Sequence, residues 1–315
     1  MWQRASSSYV KRCLLHFLML SNSTESSMVD VQAPNLVDMM SPDALKLGLG
    51  CSRLGSVNGA TGPEAIKILH RALDEGVRFF DTSNIYGQGD SERLIGEALK
   101  GRNDCVVCSK GGKYLSLRRR MLVPFKGVLR TLVRGSKHAR AGVANARANP
   151  MPTRWDGAFL TASLDASLRR LKRERIEMFM LHSPAASVIA RGEAISALAA
   201  AQDAGKIGII GVSVDDVACA EACLADPRIR ALQVPLLPGV TEFEPVLAHA
   251  EKSGVYLVAR EILGGASAVA GAQDPATYAH GRIIEVMRRP DVALPLVGTT
   301  KLQNLLASTA AAKAI

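Results

Sequence analysis

The stretch GVRFFDTSNIYGQGDSERLIGEAL, residues 76–99, carries the pattern of one strand–loop–helix unit. Its apolar run VRFFDTS (77–83) predicts a strand, because short apolar runs of this length are typical of buried strands. The run SERLIGEALKG (91–101) places apolar residues at helical spacing, and a glycine-containing loop separates the two elements. A strand followed directly by an amphipathic helix predicts an α/β fold.

Similar apolar runs alternate with amphipathic segments from residue 45 onward. Together they predict eight strands, at 45–52, 77–83, 105–110, 176–182, 207–214, 231–237, 255–262 and 293–300. This alternation predicts a parallel sheet with outer helices, and eight units in a chain of this length favour closure into a (β/α)8 TIM barrel. An open doubly wound sheet would carry G-x-G-x-x-G after its first strand, but GLGCSRLG (48–55) has its glycines at other positions.

The composition is that of a globular protein. The chain has 315 residues, of which 48% are hydrophobic, 22% charged and only 4% aromatic, so the core is expected to be aliphatic. We predict one barrel domain at 43–315 and a poorly ordered N-terminal extension at 1–42, with translation from Met28 or Met39 as the alternative. The apolar run at 14–20 is too short to span a membrane, and a cytoplasmic location is expected.

The formal net charge of +10 comes from one segment. The sequence from Lys113 to Pro150 has ten basic residues and no acidic residue, which predicts a basic insertion at about 113–152. It follows the third strand, so it could form a flap over the active-site end of the barrel, with Arg118–Arg120, Lys126, Arg130 and Arg134 facing phosphates or an anionic substrate. A solvated loop is the alternative. Few aromatic residues accompany the charges, which disfavours nucleic acid or an anionic membrane as the partner.

The cysteines are expected to be core residues. Cys105 and Cys108 form a C-x-x-C pattern inside an apolar strand, and Cys219 and Cys223 are four residues apart on a predicted helix. No second cysteine or histidine pair lies close enough in the sequence to complete a zinc site. We therefore predict no metal site.

Four polar residues lie at or just beyond the ends of neighbouring predicted strands. Asp81 ends the second strand, Tyr86 follows it five residues later, Lys110 ends the third strand and His182 ends the fourth. Strand ends of a parallel barrel converge on one mouth, so these four side chains are expected to meet there.

Over residues 45–310 the chain resembles the aldo-keto reductase family. The resemblance is most specific in residues 76–99 and in SKGG, LHSP, GVSV and the terminal PLVGTTKLQNLL. The order Asp, Tyr, Lys, His, with the five-residue spacing from Asp81 to Tyr86, matches the family's catalytic tetrad. The resemblance implies an oxidoreductase that transfers a hydride between a nicotinamide cofactor and a small aldehyde or ketone, or the corresponding alcohol.

The chemistry of the four side chains fits that reaction. Carbonyl reduction needs a proton on oxygen, and a phenol with a pKa of about 10 is a poor acid near neutrality. An ammonium group beside Tyr86 is expected to lower its pKa, and a buried Lys110 would need Asp81 as its counter-ion. We therefore predict Tyr86 as the proton donor, Lys110 and Asp81 as its support, and His182 as the group that orients the carbonyl.

The resemblance covers the cofactor side less completely. Ser213 and Gln233 match residues that hold the nicotinamide carboxamide, but Val214 stands where the family has Asn. Arg260 stands where the family has an aromatic residue that stacks on the nicotinamide. A guanidinium can also stack on a ring, but it is expected to repel the oxidised, positively charged form.

The end of the eighth predicted strand matches the family's phosphate-binding region. Gly298, Thr299 and Thr300 lead into a helix whose N-terminus suits a phosphate group. Lys301 matches a position that contacts the 2′-phosphate of NADP, whereas Asn304 replaces a common arginine. The resemblance thus favours NADPH and leaves NAD as the alternative.

Two other functions are compatible with the same barrel. The departures at Val214 and Arg260 would suit a cofactor-binding regulatory protein with weak turnover. A barrel aldolase would instead use Lys110 as a Schiff-base nucleophile, but that function leaves Tyr86 and the phosphate-binding motif without a role.

Overall fold

Eight parallel strands close into a barrel, each hydrogen-bonded to the strands before and after it in the chain. They are β1 Gly48–Gly50, β2 Phe79–Asp81, β3 Val106–Gly111, β4 Ile176–His182, β5 Ile207–Ser213, β6 Ala231–Pro235, β7 Tyr256–Arg260 and β8 Leu294–Gly298. The register of β1 against β8 pairs Leu49 with Val297 and closes the ring. The predicted (β/α)8 TIM barrel is confirmed.

The computed structural model describes residue 40, residues 42–116 and residues 151–315. Most of the predicted N-terminal extension, and the basic residues Arg118–Arg120, Lys126, Arg130 and Arg134 of the predicted flap, lie outside the described residues. No helix in the described ranges is long and apolar enough to cross a membrane.

The described helices cover the outside of the barrel. They are α1 Gly62–Asp74, α2 Asp90–Ala98, α3 Gly157–Leu171, α4 Ala186–Arg191, α5 Glu193–Asp203, α6 Val217–Leu224, α7 Glu244–Lys252, α8 Gly265–Gly271, α9 Pro275–Met287 and α10 Leu302–Lys313. Local sequence explains several of their starts. Thr61 and Glu64 form a capping box at α1, and the Asp156 carboxylate accepts a hydrogen bond of 3.0 Å from the Phe159 amide at α3.

Apolar side chains form two layers. The barrel interior contains Phe79, Val106, Met178, Ile209 and Leu294, and a larger cluster fills the space between strands and helices. Five of the six cysteines lie in the described ranges, and all five are buried and unbridged, as core residues are expected to be.

The strands β1 and β2 are shorter than their apolar runs. Residues 77–83 were predicted as one strand, but β2 contains only Phe79–Asp81. Thr82 and Ser83 beyond it are fully buried and use their hydroxyls in side-chain hydrogen bonds, Thr82 to Ser91 at 2.8 Å. Burial therefore continues beyond the strand because this loop packs into the barrel mouth.

A short antiparallel contact follows β3. Lys113 pairs with Thr153, the Tyr114 amide donates to the Pro152 carbonyl at 3.0 Å, and the Arg154 amide donates to Gly112 at 2.8 Å. The Trp155 ring packs on Gly112, where a Cβ atom would lie 2.0 Å from the ring. With a φ of 101°, position 112 requires glycine on both counts. The two described ends of the predicted insertion thus meet beside the end of β3.

Candidate active site

The centre of the site is an ion pair between β2 and β3. Lys110 is completely buried, and its ammonium donates to the Asp81 carboxylate and, at 2.9 Å, to the Thr82 carbonyl. Burial alone would lower the pKa of Lys110, but the charge of Asp81 opposes that effect and the pKa is raised. The amine is therefore held as an ammonium group.

Two residues from β5 and β6 extend this pair. The Gln233 Nε2 atom of β6 donates to Asp81 Oδ1 at 2.8 Å, and the Ser213 hydroxyl of β5 donates to Gln233 Oε1 at 3.0 Å. All three side chains are buried. A carboxylate only accepts hydrogen bonds, so the contact with Asp81 fixes which end of the Gln233 amide faces it.

Tyr86 lies at the start of a 3₁₀ turn, Tyr86–Gly89, which follows β2. Gly87 has a φ of 55° and a Cβ there would lie 2.9 Å from the Leu54 carbonyl, so the turn depends on glycine. The Lys110 Nζ atom is 5.3 Å from the centre of the Tyr86 ring. Burial raises the pKa of Tyr86; the charge of Lys110 lowers it, as expected, but offsets burial only in part, so the pKa lies above its ordinary value and not below it.

His182 ends β4 and faces Tyr86. Their ring centres are 5.8 Å apart with the planes at 90°, and His182 Nδ1 is 3.0 Å from the Ser83 hydroxyl. Burial, followed by the positive charges of Lys110, Lys113 and Arg260, holds the pKa of His182 well below its ordinary value of 6.5. The imidazole is therefore neutral near pH 7.

Arg260 ends β7 and is bound by two acidic residues. Its guanidinium donates to Asp215 at 2.6 Å and to the Val214 carbonyl at 2.9 Å, and it also pairs with Glu261. The sequence led us to expect that this guanidinium would repel oxidised nicotinamide. Asp215 and Glu261 offset part of its positive charge.

The phosphate-binding candidates lie at the end of β8 and the start of α10. Gly298, Lys301 and Asn304 are exposed, and Thr299 and Thr300 are half-buried. The Lys301 amide donates to the Thr299 hydroxyl at 3.0 Å. The Lys301 side chain makes no capping hydrogen bond to α10. Lys301 is exposed at the start of this helix.

The structure brings Asp81, Tyr86, Lys110 and His182 to one mouth, as the sequence predicted, and it adds residues that the sequence did not indicate. Ser83 contacts His182, and Lys113 donates to the Ser183 hydroxyl at 2.9 Å. The signal for Ser83 was its place two residues after Asp81. No sequence signal separated Lys113 from the other basic residues of the predicted insertion. No group of metal-binding side chains was found among the described residues.

These features place the chain in a known class of barrel oxidoreductases. Residues 46–310 match the model of the Aldo/keto reductase family, and the chain belongs to that family. A 6-dehydroglucose reductase from Novosphingobium aromaticivorans is 28% identical over 284 residues, covering 81% of this chain and 83% of the relative.

Solved structures of similar fold include two further aldo-keto reductases. The holo form of the enzyme from Bacillus halodurans has a TM-score of 0.67 at 19% identity and covers 86% of this chain and 87% of its own. An enzyme from Klebsiella pneumoniae in complex with NADP and acetate has a TM-score of 0.63 at 19% identity, covering 85% of this chain and 86% of its own. At this level of identity, the likeness to these two structures concerns the fold.

Proposed function

We propose that this protein reduces a small aldehyde or ketone with NADPH, with Tyr86 as the proton donor. The observation that carries the proposal is the buried Lys110–Asp81 pair beneath Tyr86, with His182 facing the same ring. Reduction requires a hydride on carbon and a proton on oxygen. The nicotinamide cofactor would supply the hydride. The side chains at the barrel mouth would donate the proton and orient the carbonyl.

Tyr86 is suited to give up its proton only during the reaction. Its raised pKa keeps the phenol protonated near pH 7, so the acid form is available. The charge of Lys110 favours the phenolate that forms as the proton moves to the developing alkoxide. Asp81 holds Lys110 in place, because a buried ammonium without a partner would be costly.

The neutral His182 would orient the substrate carbonyl. In this role its Nε2 atom carries the hydrogen and donates to the carbonyl oxygen, and the single hydrogen of the Ser83 hydroxyl, which also lies 3.1 Å from Asn84 Oδ1, would turn to Nδ1. The low pKa of His182 means that this arrangement does not depend on pH in the neutral range.

The residues of β5 to β8 fit a nicotinamide dinucleotide. Gln233 uses one amide hydrogen on Asp81 and one oxygen lone pair on Ser213, which leaves one donor and one acceptor for the carboxamide. Arg260 would lie against the nicotinamide ring. The start of α10, reached through Gly298, Thr299 and Thr300, would take a phosphate, with Lys301 and Asn304 beside the 2′-phosphate. The similar Klebsiella pneumoniae enzyme is described as a complex with NADP.

The aldolase alternative conflicts with the state of Lys110. A Schiff-base lysine must lose its proton to attack a carbonyl, and enzymes favour this by lowering the pKa of the amine. Here the Asp81 carboxylate raises the pKa of Lys110 instead. The regulatory alternative is favoured by the departures at Val214 and Arg260.

One experiment tests both the proposal and the regulatory alternative. NADPH is titrated into the purified protein by fluorescence, and its consumption is measured with a panel of aldehydes and ketones. Binding with turnover of at least one carbonyl supports the proposal. Binding with no turnover across the panel would favour the regulatory function, and no binding at millimolar NADPH would exclude both.

A further inference from the structure

We propose that Lys113 binds an anionic group of the substrate, so that the preferred substrates are carbonyl compounds carrying a carboxylate or a similar anion. This inference rests on the proposed reductase function and adds the class of its substrate. Its starting observation is a half-buried ammonium at the mouth, next to the catalytic candidates, whose hydrogen-bond partner is a neutral hydroxyl.

The Lys113 backbone is fixed at the mouth from two sides. The Asn84 amide donates to the Lys113 carbonyl at 2.9 Å and to the Ser163 hydroxyl at 3.2 Å, and Lys113 pairs with Thr153 across the antiparallel contact. Its Nζ atom donates to Ser183, which directly follows His182 and has a φ of 56°. Lys113 is therefore positioned within one residue of the group proposed to orient the carbonyl.

The charge of Lys113 has less compensation than the other cations of the mouth. Lys110 is paired with Asp81, and Arg260 with Asp215 and Glu261. Burial lowers the pKa of Lys113; Asp215 opposes this effect, and the charges of Arg260 and Lys110 add to it. The lowered pKa means that the surroundings disfavour the ammonium, and a bound anion would reverse that effect. An ammonium has three donors, and Ser183 takes one.

The position of Lys113 assigns the anion to the substrate and not to the cofactor. The proposed cofactor residues lie at the ends of β5 to β8, whereas Lys113 follows β3 and Ser183 follows β4. In a closed eight-stranded barrel the ends of β3 and β4 lie across the mouth from those of β7 and β8, so the phosphate groups of a cofactor bound at the end of β8 would lie away from Lys113. The charges near His182 are also positive: after burial, those of Lys110, Lys113 and Arg260 lower its pKa.

The test compares two aldehydes of similar shape, 4-carboxybenzaldehyde and the uncharged 4-nitrobenzaldehyde. The ratio of their kcat/KM values is measured for the wild type, for Lys113→Met and for Lys113→Arg. We expect Lys113→Met to lower the carboxylate-to-nitro ratio by about ten- to a hundredfold, mainly through the KM of the carboxylate, because a charge-assisted hydrogen bond is lost. Lys113→Arg should retain most of the preference.

The matched control is Lys206→Met. Lys206 is a half-buried lysine that directly precedes β5 at the opposite end of the barrel, paired with Asp165 at 2.8 Å, and its loss should leave the ratio unchanged. A ratio unchanged in Lys113→Met, or an equal fall for both aldehydes, would overturn the proposal, since the lysine would then have no role or only a structural one.

Failure of the reductase function would be recognised separately. If the wild type turns over neither aldehyde, thermal stabilisation by 4-(hydroxymethyl)benzoate and by 4-nitrobenzyl alcohol replaces the kinetic ratio. Selective stabilisation by the benzoate that Lys113→Met abolishes supports the anion site. Equal responses of wild type and Lys113→Met would reject it whether or not the protein is a reductase.

Discussion

The two halves of the barrel mouth differ in how closely they follow the family pattern. The half formed by β2, β3 and β4 has every member of the tetrad, and its buried side chains bond to one another. The half formed by β5 to β8 keeps Ser213 and Gln233 but has Val214 and Arg260 where the family has other residues. The tetrad half is constrained by charge burial, because Lys110 and Asp81 neutralise each other there.

In the cofactor half Ser213, Gln233 and Val214 are also buried, but the charge introduced at Arg260 is compensated locally. Arg260 replaces an aromatic ring, and Asp215, itself exposed, supplies an opposing charge. An exposed charge costs little to introduce, whereas a buried charge requires its partner at the same time. A departure at Arg260 leaves a charge that its neighbours offset, whereas a departure at Asp81 or Lys110 would leave a buried charge without its partner.

The largest effect is expected in the tetrad half. Tyr86→Phe should reduce carbonyl turnover roughly 10²- to 10⁴-fold, because it removes the proton donor and preserves the ring. NADPH binding, measured by fluorescence titration, should change little. Near-normal turnover of this variant would mean that the proton comes from another group.

A smaller effect, confined to one cofactor, is expected at the start of α10. Lys301→Ala should weaken NADPH binding by about ten- to a hundredfold and NADH binding much less, since only NADPH carries the 2′-phosphate. Dissociation constants for both cofactors provide the measurement. Equal losses for the two cofactors would contradict the assignment of Lys301.

A still smaller effect, shared by both cofactors, is expected at the end of β7. Arg260→Ala should weaken NADPH and NADH by the same factor, roughly two- to thirtyfold, because the ring that it would contact is common to both. Arg260→Tyr, which restores an aromatic residue, is the matched control and should bind both cofactors well. If Arg260→Ala binds as tightly as the wild type, Arg260 does not contact the ring.

We expect the smallest effect from pH, which should leave kcat/KM for reduction nearly unchanged in the neutral range. His182 has a pKa well below 6.5 and Tyr86 has a pKa above 10, so neither changes charge between pH 6.5 and 9. The kcat/KM for reduction should therefore be nearly constant in that range. A fall in kcat/KM with a midpoint near 6.5 would show that His182 titrates normally and that its surroundings are less buried than described.

Periodicity was sufficient to predict the barrel and most of its elements. The run 176–182 was predicted as a strand and coincides with β4, and 91–101 was predicted as helical where α2 covers Asp90–Ala98. The predicted strand 45–52 was too long, because Leu47 and Cys51 on either side of β1 are buried without belonging to the ladder. Apolar patterns report burial, and burial extends beyond hydrogen-bonded strands wherever loops pack into the mouth.

The sequence by itself determined the eight strand–helix units and the order of Asp81, Tyr86, Lys110 and His182 along them. Both depend on local spacing, which a linear pattern contains. Only the tertiary structure decided that Gln233 bonds to Asp81 across 152 positions, that Asp215 offsets Arg260, and that Lys113 reaches Ser183. Charge compensation and pKa depend on distances of a few ångströms between residues far apart in the chain, and only folding sets those distances.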